Sequence, residues 1–175
     1  ISLWEKLALN SSLEYSNGKQ FGNYLHSANQ LKFEPIPDYF VDAKVNFQSA
    51  APSFNYLLNV SPITGYSYNF TDFKNENILE VGGTVGLKWF DAQVFANYFR
   101  IDNYAYFTSA GQPQQSGSSL NISQIGGDAT FSYSKFHLNT RLLFQSNLSN
   151  KELLPAPNFV GRANIYWQSK AFKDA

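Results

Sequence analysis

Leu79-Glu80-Val81-Gly82-Gly83-Thr84-Val85-Gly86-Leu87-Lys88-Trp89 alternates in polarity from end to end. Leu79, Val81, Gly83, Val85, Leu87 and Trp89 fall on one side of an extended chain, and Glu80, Gly82, Thr84, Gly86 and Lys88 on the other. Side chains of a strand point alternately to opposite faces, so this stretch reads as a strand with one apolar and one polar face. The same pattern extends outward. Residues 39–48 set Tyr39, Val41, Ala43, Val45 and Phe47 against Phe40, Asp42, Lys44, Asn46 and Gln48. Residues 124–133 set Ile125, Gly127, Ala129, Phe131 and Tyr133 against Gln124, Gly126, Asp128, Thr130 and Ser132. Residues 135–145 and 159–168 alternate likewise, with Leu143 out of step, and 3–15, 20–34, 54–70 and 91–107 alternate less strictly. About nine strands and no helix follow from these stretches.

Parity across the turns predicts the pairing. A two-residue hairpin loop leaves its flanking residues on one face. Phe90-Asp91 and Ser134-Lys135 fit such loops, because the apolar set switches from odd to even numbers at each. Ser16-Asn17-Gly18-Lys19-Gln20 reads as a three-residue turn that keeps parity between Leu13, Tyr15 and Phe21, Leu25. These short turns, together with Ser49–Ser53, are expected on one side of the sheet. Glu34–Asp38, Thr71–Asn77, Thr108–Ser119 and Ser146–Asn158 are expected as longer loops on the other.

Composition narrows the class. The 175 residues carry 13 basic and 13 acidic side chains, so no net positive face is available to replace the counterions of a nucleic acid. There is no Cys, which removes disulfides, thiolate metal sites and cysteine nucleophiles. Aromatic residues make up 17% and charged residues 15%, against about 25% charged in an ordinary soluble domain. No run approaches the roughly 20 apolar residues of a membrane helix, whereas barrel strands need only about 9–11. The polar faces are built from Asn, Gln, Ser, Thr and Gly, and rings gather near strand ends. Both features favour an all-β, antiparallel up-and-down transmembrane barrel of eight to nine strands over a soluble sandwich with an aromatic core.

In that arrangement the lumen-lining residues are Asp42, Lys44, Glu80, Lys88, Asp128, His137, Arg141 and Arg162, of mixed sign, which predicts weak ion selectivity. Tyr39, Trp89, Phe90, Tyr106, Tyr133 and Trp167 are the expected interfacial girdle. His26 and His137 lack the companions of a zinc site, and no nucleophile elbow, Walker loop or dinucleotide fingerprint occurs. Neither catalysis nor a cofactor is expected. The last residues, Ala171-Phe172-Lys173-Asp174-Ala175, lack the terminal aromatic with which such barrels usually end, so residues 1–175 are read as one barrel domain or a segment of a larger barrel.

Several short motifs stand in order along the chain: Ala51-Pro52-Ser53-Phe54-Asn55-Tyr56, Asp72-Phe73-Lys74-Asn75, Asn103-Tyr104-Ala105-Tyr106-Phe107, Gln112-Pro113-Gln114, and Leu153-Leu154-Pro155 leading to Arg162, Tyr166-Trp167 and Phe172–Ala175. On these, the span from Tyr39 to Ala175 resembles the putative porin family of the Bacteroidota outer membrane. The resemblance implies a Gram-negative outer-membrane location, contact with lipid, and passage of small solutes. Family members are longer, which implies strands before and after those in this chain. Partners in the outer membrane, or further copies of the chain, are compatible with it. Three other readings remain open at this point: a segment of a TonB-dependent receptor barrel, an accessory barrel within an outer-membrane assembly, and a soluble carbohydrate-binding sandwich.

Overall fold

Alternating polarity with no competing helical period leaves the chain one way to satisfy its backbone, which is to pair with itself as a meander. The computed structural model describes residues 2–4, 6–18, 22–63, 65–69 and 72–168, with backbone alone for 2–4. In chain order the elements are β1 (Ser2–Trp4), β2 (Leu7–Gly18), β3 (Gly22–Ile36), β4 (Tyr39–Ala50), α1 (Phe54–Leu57), β5 (Leu58–Asn59), β6 (Tyr68–Asn69), β7 (Glu76–Leu87), a 3-10 turn (Trp89–Asp91), β8 (Ala92–Asp102), β9 (Ala105–Phe107), β10 (Pro113–Gln115), β11 (Leu120–Tyr133), β12 (Phe136–Asn147) and β13 (Phe159–Trp167). One sheet runs β1-β2-β3-β4-β7-β8-β11-β12-β13, every neighbour antiparallel. Eight of these strands are long, and β1 is a three-residue edge piece.

The parity expectations hold where the alternation is strict. Tyr133 pairs with Phe136 around Ser134-Lys135, with Ser134 at a positive φ of 56°. The turn after β7 differs in detail. Leu87 pairs with Ala92, so the connection is the four residues Lys88–Asp91 rather than Phe90-Asp91 alone. Four, like two, is an even number, so the odd-to-even switch survives. Gly18 pairs with Gly22, which places the three-residue connection at 19–21 rather than inside 16–20. Lys19, Gln20, Phe21, Thr71 and 171–175 lie outside the described residues.

One stretch departs from the expectation and changes the sidedness of the rest. Residues 54–70 do not cross the sheet. They form α1 and the small β5–β6 hairpin, while β4 pairs directly with β7. Pro62 and Gly65 interrupt the stretch, and its partners lie in another loop. Removing one crossing exchanges the sides of every earlier connection. Pro37-Asp38, Lys88–Asp91 and Ser134-Lys135 therefore share the short-turn edge, with Ile36 paired to Tyr39 around the first of them. The paired strand ends Gly18 and Gly22 and the connections 51–75, 103–119 and 148–158 share the other edge. Glu34–Asp38 is thus a tight turn, and Ser49–Ser53 opens a long connection.

The sheet is a single layer. Ala105 and Leu120 are the buried hydrophobic residues among those described, and neither lies in the apolar face. Val41, Val85, Val94 and Ile125, from four strands of that face, are 51%, 44%, 52% and 56% exposed. A sandwich would bury this face against a second sheet, so the soluble sandwich is overturned. Eight residues trace one row across the long strands: Leu9, Leu31, Ala43, Gly83, Ala96, Ile125, Phe144 and Phe159. At Phe159 the row has reached the end of β13, whereas on β2 the strand continues from Leu9 to Gly18. This stagger is about 30 Å over a width of about 34 Å, a slope of about 40°. Strands of membrane barrels tilt by about 35–45°. Among the described residues, β13 pairs with β12 alone, and no ladder joins it to β1 or β2.

Candidate pore wall and mouth

Side-chain hydrogen bonds link several neighbouring strands across the polar face. Gln30 Nε2 donates to Asp42 Oδ2 at 2.6 Å, and Asp42 is only 7% exposed. Lys44 Nζ lies 2.6 Å from Glu80 Oε1, and Asn46 Nδ2 donates to the other Glu80 oxygen at 2.7 Å. Gln93 Nε2 donates to Asp128 Oδ2 at 2.8 Å, and Asn139 Nδ2 to Thr130 Oγ1 at 3.0 Å. Ser132 Oγ lies 2.8 Å from His137 Nδ1, and the His137 ring stacks on Tyr166 with centroids 4.8 Å apart. Asp42 is buried, and most of the other carboxylates and amides half-buried, because they hold one another, although no second layer covers them.

Strand parity puts Asp42, Lys44, Glu80, Asp128, His137, Arg141 and Arg162 on this one face. Lys88 is separate. It sits in the turn after β7, exposed, and reaches Asp38 of the neighbouring turn at 3.4 Å. A groove of about 520 Å³ opens there, between these turns and Lys32, Glu34, Phe40 and Asp128.

Sequence reasoning did not single out Gln30, Asn46 and Gln93, the amide partners of these carboxylates, although their even or odd numbers place them on this face. It also did not single out two rings lying flat on the wall. A Cβ on Gly86 would meet the Phe40 ring, and one on Gly126 would meet the Phe95 ring. Each glycine leaves the space its cross-strand neighbour fills, and a cation lies over each ring: Lys32 over Phe40 at 4.7 Å and Arg141 over Phe95 at 5.9 Å.

At the short-turn edge Tyr39, Trp89, Phe90, Tyr133 and Trp167 gather. Tyr39 meets Trp89 edge-on at 6.4 Å, Phe90 packs on Phe131 at 4.8 Å, and Phe136 stands between its partners Tyr133 and Trp167. Trp89, Phe90, Tyr133 and Trp167 are all exposed. Tyr106 does not belong to this group. It is in β9 at the opposite edge, where its hydroxyl donates to Gln114 Oε1 at 2.9 Å.

The long-connection edge carries the packed part of the molecule, formed by motifs far apart in sequence. Gln115 accepts from the Lys74 amide at 2.9 Å and donates to the carbonyls of Lys74 and Asn103 at 2.7 and 3.0 Å. Asn103 Nδ2 donates to the Asn75 carbonyl at 2.9 Å, and the Ala105 amide donates to Glu76 Oε1 at 2.7 Å. Gln112 donates to the Gly65 carbonyl at 2.8 Å, and Tyr56 packs on Phe107 at 4.7 Å. Burial raises the pKa of the Tyr104 phenol, with Tyr56 and Glu76 adding to the rise. Glu76 and Leu120 belong to the polar face by parity, so this cluster folds over that face where it meets the edge.

A one-layer antiparallel meander with a naked apolar face, a hydrogen-bonded polar face, sloping strand ends and one rim of rings defines a wall of a membrane β-barrel of porin type. A family model described as putative porin matches residues 1–175, and the chain belongs to that family. The match covers the whole chain, more than the Tyr39–Ala175 span that the motifs suggested. Membership gives the protein a porin-like role in the outer membrane. No curated protein matches the sequence.

Proposed function

We propose that the polar face lines a water-filled path for passive diffusion of small hydrophilic solutes across the outer membrane of a Gram-negative bacterium. The apolar face meets the acyl chains, and Asp42, Lys44, Glu80, Asp128, His137, Arg141 and Arg162 lie along the path, with Lys88 at its rim. The observation that carries this reading is the uncovered apolar face of a single-layer sheet. Water would not tolerate some eight strands of exposed Val, Leu, Ile and Phe, and hydrocarbon would. Short turns face the periplasm in such barrels and long loops the outside. The aromatic rim then marks the periplasmic interface, and the cluster around Gln115 narrows the outer mouth. Hydrocarbon cannot satisfy unpaired strand edges, so both flanks of the sheet are paired in the membrane. Transport needs no energy coupling or covalent chemistry in this scheme.

The test is reconstitution of the full-length protein into planar bilayers. Stepwise ohmic conductance, with little preference between potassium and chloride, is the expected result. A protein that inserts and folds but conducts nothing removes the diffusion pathway.

A further inference from the structure

We propose that Arg141 and Arg162 form a binding step for a doubly charged oxyanion, a phosphate or a dicarboxylate, on the pore wall. The inference rests on the polar face being the lumen. Arg141 of β12 and Arg162 of β13 are directly paired across the ladder. Like charges at such positions repel, because their Cβ atoms stand about 4.5–5.5 Å apart. Carboxylates relieve this kind of charge at the other Lys and Arg residues of the described strands. Lys32 pairs with Glu34 at 2.7 Å, Lys44 with Glu80 at 2.6 Å, and Arg100 with Asp102 at 3.2 Å. Neither Arg141 nor Arg162 has an ion pair among the described residues.

The nearest candidate partner is held elsewhere. Asp128 occupies the position paired with Arg141, but it accepts from Gln93 on the far side of its strand. The Arg141 guanidinium instead lies over the Phe95 ring, and Arg162 turns its Nε and Nη2 to the Asn164 side-chain oxygen, at 3.1 and 3.2 Å. Both arginines are exposed on the polar face. A guanidinium presents five N–H donors in a planar fork that matches carboxylate and phosphate oxygens two at a time. Arg141, and Arg162 through the Nη donors that Asn164 does not take, can grip one dianion from two sides, and its charge removes their mutual repulsion. The ring under Arg141 fixes the direction of one fork.

The experiment uses the full-length protein in planar bilayers in potassium chloride, with inorganic phosphate and succinate added in separate arms. Wild-type current should fall as phosphate or succinate rises. Arg141→Gln and Arg162→Gln should each raise the half-effect concentration about tenfold, and the double variant should lose the response. Lys151→Gln, in the 148–158 connection, should respond as wild type. A response to one anion alone assigns the site to that chemistry. A double variant that conducts and responds like wild type overturns the site and leaves the pore intact. A wild-type protein that conducts nothing overturns the pore, and calorimetric titration of phosphate and succinate into the detergent-solubilised protein then decides the site: binding lost in the double variant upholds it, and no binding by wild type overturns it. Should the double glutamine variant fail to fold, Arg141→Lys with Arg162→Lys replaces it. That pair keeps the charge and should lose most of the discrimination of the dianion over chloride; undiminished discrimination overturns the proposal.

Discussion

Val85 gives the sharpest test of which face meets lipid. Its partners across the two ladders are Val41 and Val94, so it sits in an uncovered aliphatic patch that spans three strands. β7 ends two residues further on, at Leu87, about 7 Å at strand rise, and the aromatic rim follows in the turn. Arginine on the lipid face costs about 2–4 kcal/mol at the midplane and about 0–1 kcal/mol at the interface, which puts Val85→Arg at about 2 kcal/mol. Thr84, the preceding residue, points to the polar face. Arginine there should cost about 1 kcal/mol or less, because water is at hand. The measurement is guanidinium unfolding of Val85→Arg and Thr84→Arg in phospholipid vesicles. With a slope of about 4 kcal/mol/M, a loss of about 2 kcal/mol lowers the Val85→Arg midpoint by about 0.5 M. The Thr84→Arg midpoint should move by less than about half of that. If Val85 were at a water-exposed surface, its substitution would stay within about 0.5 kcal/mol. Equal midpoints for the two variants, or an unmoved Val85→Arg, would refute the assignment of the faces.

Three further outcomes follow from other parts of the molecule. Gln115→Ala removes three hydrogen bonds, two to Lys74 and one to Asn103, that hold the 103–117 segment in place, about 1 kcal/mol each, so limited proteolysis should nick this segment faster; unchanged cleavage counts against the packed mouth. In a Trp4→Phe background, emission from Trp89 and Trp167 should be quenched more by bromines near the headgroups than by bromines at the chain ends, since both residues lie at the short-turn edge; the opposite order contradicts the rim. Gly126→Ala should destabilise by about 1–3 kcal/mol, because its Cβ would stand 2.6 Å from the Leu142 carbonyl oxygen, whereas at Gly86→Ala only the Phe40 side chain has to swing away and the loss should be smaller in the same unfolding assay.

The alternation was readable because each long strand has two unlike faces. A strand shifted by one residue would exchange Val81 for Glu80 on the lipid side, so the pattern itself enforces the register. Parity alone gathers seven of the eight charged residues named from the sequence on one face. Lys88 lies off that face because the strand ends one residue earlier, at Leu87, and a four-residue turn hides behind an alternation that continues to Trp89. The misreading of 54–70 has a different cause. Local polarity there imitates a strand, while the deciding interactions come from Gln112, Phe107 and other residues about 40 to 50 positions away. Nothing in the segment itself records those partners. Tyr106 was grouped with the rim for the same reason: a ring in a loop hairpin and a ring at a strand end look alike in sequence. The two paired arginines are visible as residues, but their lack of counter-charges among the described residues depends on where Gln93 holds Asp128.

The descending line of strand ends restricts what can dock on either flank. Any newcomer that joins β13 has to continue the descent by about one residue per strand, or its hydrophilic termini are dragged into oil. A copy arriving level, or one residue out of step, pays with misplaced Asn and Lys side chains along its whole length. The slope therefore acts as a proofreading gauge during assembly: it rejects the flat edge-to-edge stacking that exposed ribbons otherwise invite and admits only neighbours cut to the same pitch.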